Sequence, residues 1–139
     1  MADTLYGFRY EYRLSGDVPT VQKLYFKDTE TLTKGDLLNA ESGEVDLAAT
    51  GDTNLLGIAI ETKAGTDSTT QIEVIVDLDA VYSVYDPNAR SIGATLDIAG
   101  TTGAQTVATS SNAEFIVVAN SSASERTLVR INPAKHAYT

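Results

Sequence analysis

A chain of 139 residues with 42% hydrophobic and 21% charged residues has the size and composition of one soluble globular domain. It has no cysteine and a single histidine, His136, which excludes disulfides, thiol nucleophiles and Cys-bound zinc and leaves one candidate imidazole base. A net charge of −9 opposes nonspecific nucleic-acid binding; no apolar run approaches the roughly 18 residues of a membrane span, and no basic stretch leads into an apolar block as a signal peptide would.

The first element, Tyr6 to Leu14, alternates with period two, placing Tyr6, Phe8, Tyr10 and Tyr12 on one face and charged residues such as Arg9 and Arg13 at most odd positions. That is the pattern of a β-strand with one apolar face. Six of the ten aromatic residues lie before Lys27, so the side chains best suited to anchoring contacts concentrate at this end. Short runs rich in Val, Ile, Leu, Thr and Tyr follow, which predict strands over Val21 to Phe26, Leu37 to Leu38, Val45 to Leu47, Gly57 to Glu61, Gln71 to Leu78, Val81 to Tyr85, Thr95 to Ile98, Gln105 to Ala108, Phe115 to Ala119 and Leu128 to Ile131. In the Gln71 run every even position is apolar, so that strand turns one face to the core. Glycine turns at Lys34-Gly35-Asp36, Ser42-Gly43-Glu44, Thr50-Gly51-Asp52 and Gly100-Thr101-Thr102-Gly103 cut the sheet into short pieces. One segment supports a helical turn: Asp86 as N-cap, Pro87 at the first helical position and Gly93 as the stop. The fold class is therefore all-β, a compact single-domain barrel or sandwich of short strands with at most one short helix. Residues 1–19 form an N-terminal arm or strand, 20–132 the β-rich domain, and 133–139 a loose C-terminal tail.

Charge is distributed unevenly. Residues 1–34 carry five basic and five acidic groups, residues 35–125 two basic against fourteen acidic, and residues 126–139 three basic and no acid. If the two ends fold to the same side, the molecule has an acidic outward surface and a less negative docking surface; the plainer alternative is that acidic loops serve solubility.

No catalytic signature accompanies these strands. Asp77, Asp79 and Asp86, with Glu73, lack the spacing of a Ca²⁺ loop and read as solvent-facing positions, so no metal and no cofactor is expected. His136 has no Gly-x-Ser-x-Gly partner and lies in the tail. Gly100 to Gly103 lacks the Lys-Ser/Thr of a phosphate loop, and Asn120-Ser121-Ser122 is a formal glycosylation triplet expected to stay bare. The aromatic strand either closes the protein's own sheet or is an arm laid on a neighbour. In the second case Tyr6, Phe8, Arg9, Tyr10, Tyr12 and Arg13 are the partner-binding residues.

The succession Lys34-Gly35-Asp36-Leu37-Leu38, then Leu55 to Glu61, then Gln71 to Val76, followed by Ile92 to Ile98, Phe115 to Val118 and Leu128 to Ile131, resembles the decoration, or capsid cement, proteins of tailed bacteriophage heads. That resemblance implies a β-tulip body and a non-enzymatic role on the exterior of a virion assembled in the host cytoplasm. It further implies binding to the major capsid protein as a homotrimer at threefold positions, with no nucleic-acid or membrane partner. Strand addition by the Leu5 to Leu14 arm is the corresponding mechanism. A carbohydrate-binding or adhesive β module of a phage fibre or cell surface is the alternative. A deoxyuridine-triphosphatase-like β-clip enzyme has similar strand density, but its nucleotide motifs are missing.

Overall fold

Short β-branched and aromatic runs separated by turn residues fold as the sequence leads one to expect. In a computed structural model, which describes residues 7–109, 111–122 and 125–138, they form thirteen strands and one 3₁₀ turn. The strands are β1 (Phe8–Arg13), β2 (Val21–Tyr25), β3 (Glu30–Leu32), β4 (Leu37–Glu41), β5 (Glu44–Leu47), β6 (Leu55–Ile58), β7 (Lys63–Gly65), β8 (Gln71–Ile75), β9 (Ala80–Asp86), β10 (Thr95–Ala99), β11 (Thr106–Thr109), β12 (Phe115–Val117) and β13 (Glu125–Ile131). The all-β, single-domain expectation holds, and each of the eleven expected strands is present, several with shifted ends. The two additional strands, β3 and β7, are short and largely polar and pair with each other.

A six-stranded sheet of order β1-β9-β13-β12-β10-β11 is joined by a three-stranded sheet β5-β4-β6 and by the pairs β2-β8 and β3-β7; among the described residues none closes into a barrel. All pairings are antiparallel within the named strands. Apolar side chains fill two cores. The inner face of the large sheet packs Phe8, Tyr82, Val84, Leu96, Ile98, Phe115, Val117, Val129 and Ile131 against Leu37, Leu55, Ile58 and Ile75. Phe26, Leu32, Leu38, Val45, Leu56, Ile72, Val74 and Val76 make the second core. Strands β4, β6 and β8 contribute to both, which is why Leu37-Leu38 and Leu55-Leu56 read as continuous apolar runs. The even positions Ile72, Val74 and Val76 share one core, as their alternation indicates.

Gly57 permits the closest approach between these layers. Its φ is +152°, and a Cβ there would lie 1.8 Å from the Ile75 carbonyl oxygen and 2.7 Å from the Tyr82 hydroxyl.

Two sequence expectations are corrected. Asp86 to Ser91 is not helical: the Asp86 carboxylate is fully buried, accepts from the Asn88 N–H and pairs with Arg90, while the Arg90 backbone bridges to Ser121. The bridge to Ser121 takes the Arg90 N–H and carbonyl, backbone groups that a helical turn would use within the segment. The helical turn occurs instead at Pro133–Lys135, where Asn132 caps the Ala134 N–H and Pro133 opens the turn. The same Asx-Pro rule applies there. The segment expected to be a loose tail is accordingly docked: His136 is 2% exposed, and the Ala137 N–H donates to the Leu55 carbonyl.

Candidate functional site

Strand β1 is an edge strand of the protein's own six-stranded sheet, hydrogen-bonded along one side to β9. Its start is fixed on both sides. The Gly7 N–H donates to the Gln105 carbonyl and the Phe8 N–H to the Gly35 carbonyl, so the glycine turn at Lys34-Gly35-Asp36 covers the first part of the outer edge. Phe8 is 2% exposed, stacks on Phe115 with centroids 5.2 Å apart and meets Tyr82 edge-on at 6.5 Å. Tyr10 is half-buried against the same core, with Tyr82 at 6.4 Å. Tyr6 lies outside the described residues.

The aromatic alternation is interrupted. Tyr10 pairs with Tyr82 but Tyr12 pairs with Val81, so Glu11 is an extra residue, a β-bulge. One inserted residue transfers everything after it to the opposite face. Tyr12 therefore lies on the outer face of the sheet, 42% exposed, instead of in line with Phe8 and Tyr10. Arg13 is drawn to the end of β9: its Nε donates to Asp79 Oδ1 at 2.8 Å, Nη1 lies 3.4 Å from Asp77 Oδ1, and Nη1 reaches the Val18 carbonyl at 3.3 Å. Asp77 also accepts the Thr20 N–H, and Asp79 the Ser15 N–H. Although burial pushes the Asp79 carboxyl up, the bonds from Arg13 and Ser15 outweigh it and hold its pKa below the usual value. These carboxylates, read from the sequence as solvent-facing, fasten the β1–β2 connection and present Leu14 and Val18 at its tip, Val18 at 81% exposure.

The register brings further residues beside Tyr12 that sequence spacing could not join. One row across five strands is Tyr12, Val81, Arg130, Ile116 and Thr95; a second is Arg9, Ser83 and Leu128; a third begins with Tyr85 and Arg126. All lie opposite the core face. Arg126 donates to the carbonyls of Gly7 at 3.1 Å and Ser83 at 2.7 Å, and Arg130 to that of Leu78 at 3.2 Å. The charge-balanced N-terminal strand and the basic C-terminal strand thus flank β9 in one sheet, which is the arrangement under which the charge distribution gives a less negative docking side.

Elsewhere, carboxylate oxygens of Asp28, Glu30 and Asp46 converge within 4.8 Å of one another. Burial, a hydrogen bond with Asp46 and the neighbouring charges push Glu30 up to about 7, so this cluster takes up a proton near neutrality. An open polar groove of about 320 Å³ is lined by Lys23, Glu61, Lys63, Thr69, Thr70, Gln71 and Glu73. His136 is buried and its pKa is lowered by that burial; its Nδ1 accepts the Tyr138 N–H. Gly100 to Gly103 is a turn whose Gly103 N–H donates to Asp36 at 2.8 Å.

The sequence matches no protein-family model and no curated protein. The fold is that of a known structure: the N base of the head fiber gp8.5 of bacteriophage phi29 superposes with a TM-score of 0.52 at 15% identity, covering 84% of this chain and 98% of that one.

Proposed function

We propose that this chain is a non-enzymatic structural component of a bacteriophage virion, which binds the major capsid protein on the outside of the head and self-associates as a trimer. The observation that carries this reading is the fold shared with a head-fiber base over nearly the whole of that domain. The outer sheet face and the partly open edge of β1 are the natural contact surfaces, because a strand edge supplies backbone bonds and Tyr12 an exposed ring. Phe8 acts only indirectly, by fixing the strand in the core. Purified protein incubated with heads is expected to co-sediment with expanded heads and not with unexpanded ones, and light scattering is expected to give a trimer mass. Absence of head binding in both states overturns the reading.

The second reading, a carbohydrate-binding module, is favoured by the Lys23–Glu73 groove, whose hydroxyl, amide, carboxylate and ammonium groups suit a polyol. Glycan-array binding abolished by changes in that groove, with no binding to heads, would establish it instead.

A further inference from the structure

Three of the five arginines in this chain, Arg9, Arg126 and Arg130, occupy one face of one sheet, although the whole molecule carries −9. The acidic groups on that side are few among the described residues. Glu11 accepts from Ser83 at the β1 edge. Asp97, beside Thr95 on β10, is buried, and its carboxylate is taken up by the N–H groups of Ser111, Asn112 and Ala113. Between the arginines lie Tyr12, Tyr85, Ile116 and Leu128, each partly exposed, and neither Ile116 nor Leu128 belongs to either core. Arginine, tyrosine and aliphatic side chains without lysine are the composition of an interface centre.

We propose that this outer face, centred on Tyr12, Arg9, Arg126, Leu128 and Arg130, docks on an Asp/Glu-rich surface of a different protein chain. The link to a capsid surface rests on the virion reading above; the chemistry of the partner does not. Carboxylates on a partner surface complement the guanidinium groups gathered on this face. Arg126 and Arg130 are already held by the carbonyls of Gly7, Ser83 and Leu78, so little rotamer freedom is lost when they are covered. Five strands at about 4.8 Å spacing make the Tyr12 to Thr95 row roughly 19 Å wide, enough for a flat protein surface. A polyphosphate fits poorly: it offers no apolar complement to Tyr12 and Leu128, and its extended charge meets the acidic body as well as this face.

The test uses the full chain, immobilised poly-L-glutamate, duplex DNA, and purified heads, at low and high salt. Arg9→Glu alters an exposed member of the face, and Lys63→Glu makes the same charge change on exposed β7. The expected result is retention on poly-L-glutamate despite the net charge, weakened about tenfold by Arg9→Glu and less than twofold by Lys63→Glu, with retention falling as salt rises. Equal weakening by both variants, preferential binding to DNA, or loss of the protein's own oligomer in Arg9→Glu overturns the proposal. Head binding that Arg9→Glu leaves unchanged overturns it while the virion reading stands; poly-L-glutamate binding lost in Arg9→Glu, with no head binding by the native chain, does the reverse.

Discussion

Replacing Phe8 and Tyr12 separately by alanine divides the aromatic strand into the part that folds and the part that faces outward. Phe8→Ala removes a ring that is 2% exposed and packed between Phe115 and Tyr82. Truncating a core phenylalanine costs about 3–5 kcal/mol through lost burial and the cavity left behind. With an unfolding entropy of roughly 2.1 cal/mol/K per residue, that corresponds to a fall of about 10–17 °C in Tm for a chain of this length. Tyr12→Ala removes a ring 42% exposed on the outer face and is expected to cost less than about 1 kcal/mol, or about 3 °C. Thermal unfolding followed by circular dichroism at several protein concentrations measures both, the concentration series removing any contribution from self-association. A cost below about 1 kcal/mol for Phe8→Ala would refute the placement of β1 in the sheet. Equal costs for the two variants would refute the bulge at Glu11, since without it both rings share the core face.

Two further outcomes follow from local chemistry. Gly57→Ala sets a Cβ against the backbone carbonyl of Ile75, which cannot turn aside as a flexible side chain would, so a loss of about 3 kcal/mol or more is expected in urea unfolding; a loss below about 1 kcal/mol would show that β6 and β8 approach less closely. Glu30 has its folded pKa raised to about 7 from 4.5, by burial first and by Asp46 next, so the folded state binds the extra proton and its contribution to stability is lost as pH rises from about 4.5 through 7. Glu30→Gln is therefore expected to stabilise the protein by about 1 kcal/mol at pH 8, after discounting for solvent screening, and to have little effect at pH 4.5. A difference in urea midpoint that is equal at the two pH values would refute this.

The eleven strands were legible because burial demands apolar β-branched and aromatic side chains in runs, and turns demand glycine and Asx residues between them. Strands β3 and β7 escaped notice because Glu30-Thr31-Leu32 and Lys63-Ala64-Gly65 have almost no apolar pattern; each exists because the other pairs with it. Acidic residues were the least legible feature. Glu114 accepts the Ile98 N–H at 2.8 Å and binds the Gly51 N–H, and Asp36 accepts from Thr33 and Gly103, so these buried carboxylates tie together loops distant in sequence. Composition counts such groups with the solvated acids. The Asn132-Pro133 cap, by contrast, was written in the sequence by the same rule that pointed to Asp86-Pro87. What separated them was tertiary: Asp86 accepts the Asn88 N–H as a cap would, but the Arg90 N–H and carbonyl pair with Ser121 and hold the segment out of a helical turn.

The candidate face shows why a strand can be read correctly while its surface is not. Alternation identifies β1, and it assigns every ring to one side only as long as the register is unbroken. Glu11 is neither glycine nor asparagine, so nothing in its identity announces a bulge. Its effect is nonetheless decisive: it leaves Phe8 and Tyr10 in the core, transfers Tyr12 to the outside, and turns Arg13 away to Asp77 and Asp79. Arg126 and Arg130 join Arg9 because β13 pairs with β9 on the side opposite β1, a neighbourhood more than a hundred residues apart along the chain. The uneven charge along the sequence shows that the two ends differ from the middle; only the sheet order turns that difference into a surface. Deletion of Glu11 would remove the bulge and leave Tyr12 next to Tyr10 and still opposite Val81, so Tyr12 is expected to stay on the outer face, whereas a strand that kept Glu11 in regular register would return Tyr12 to the core side.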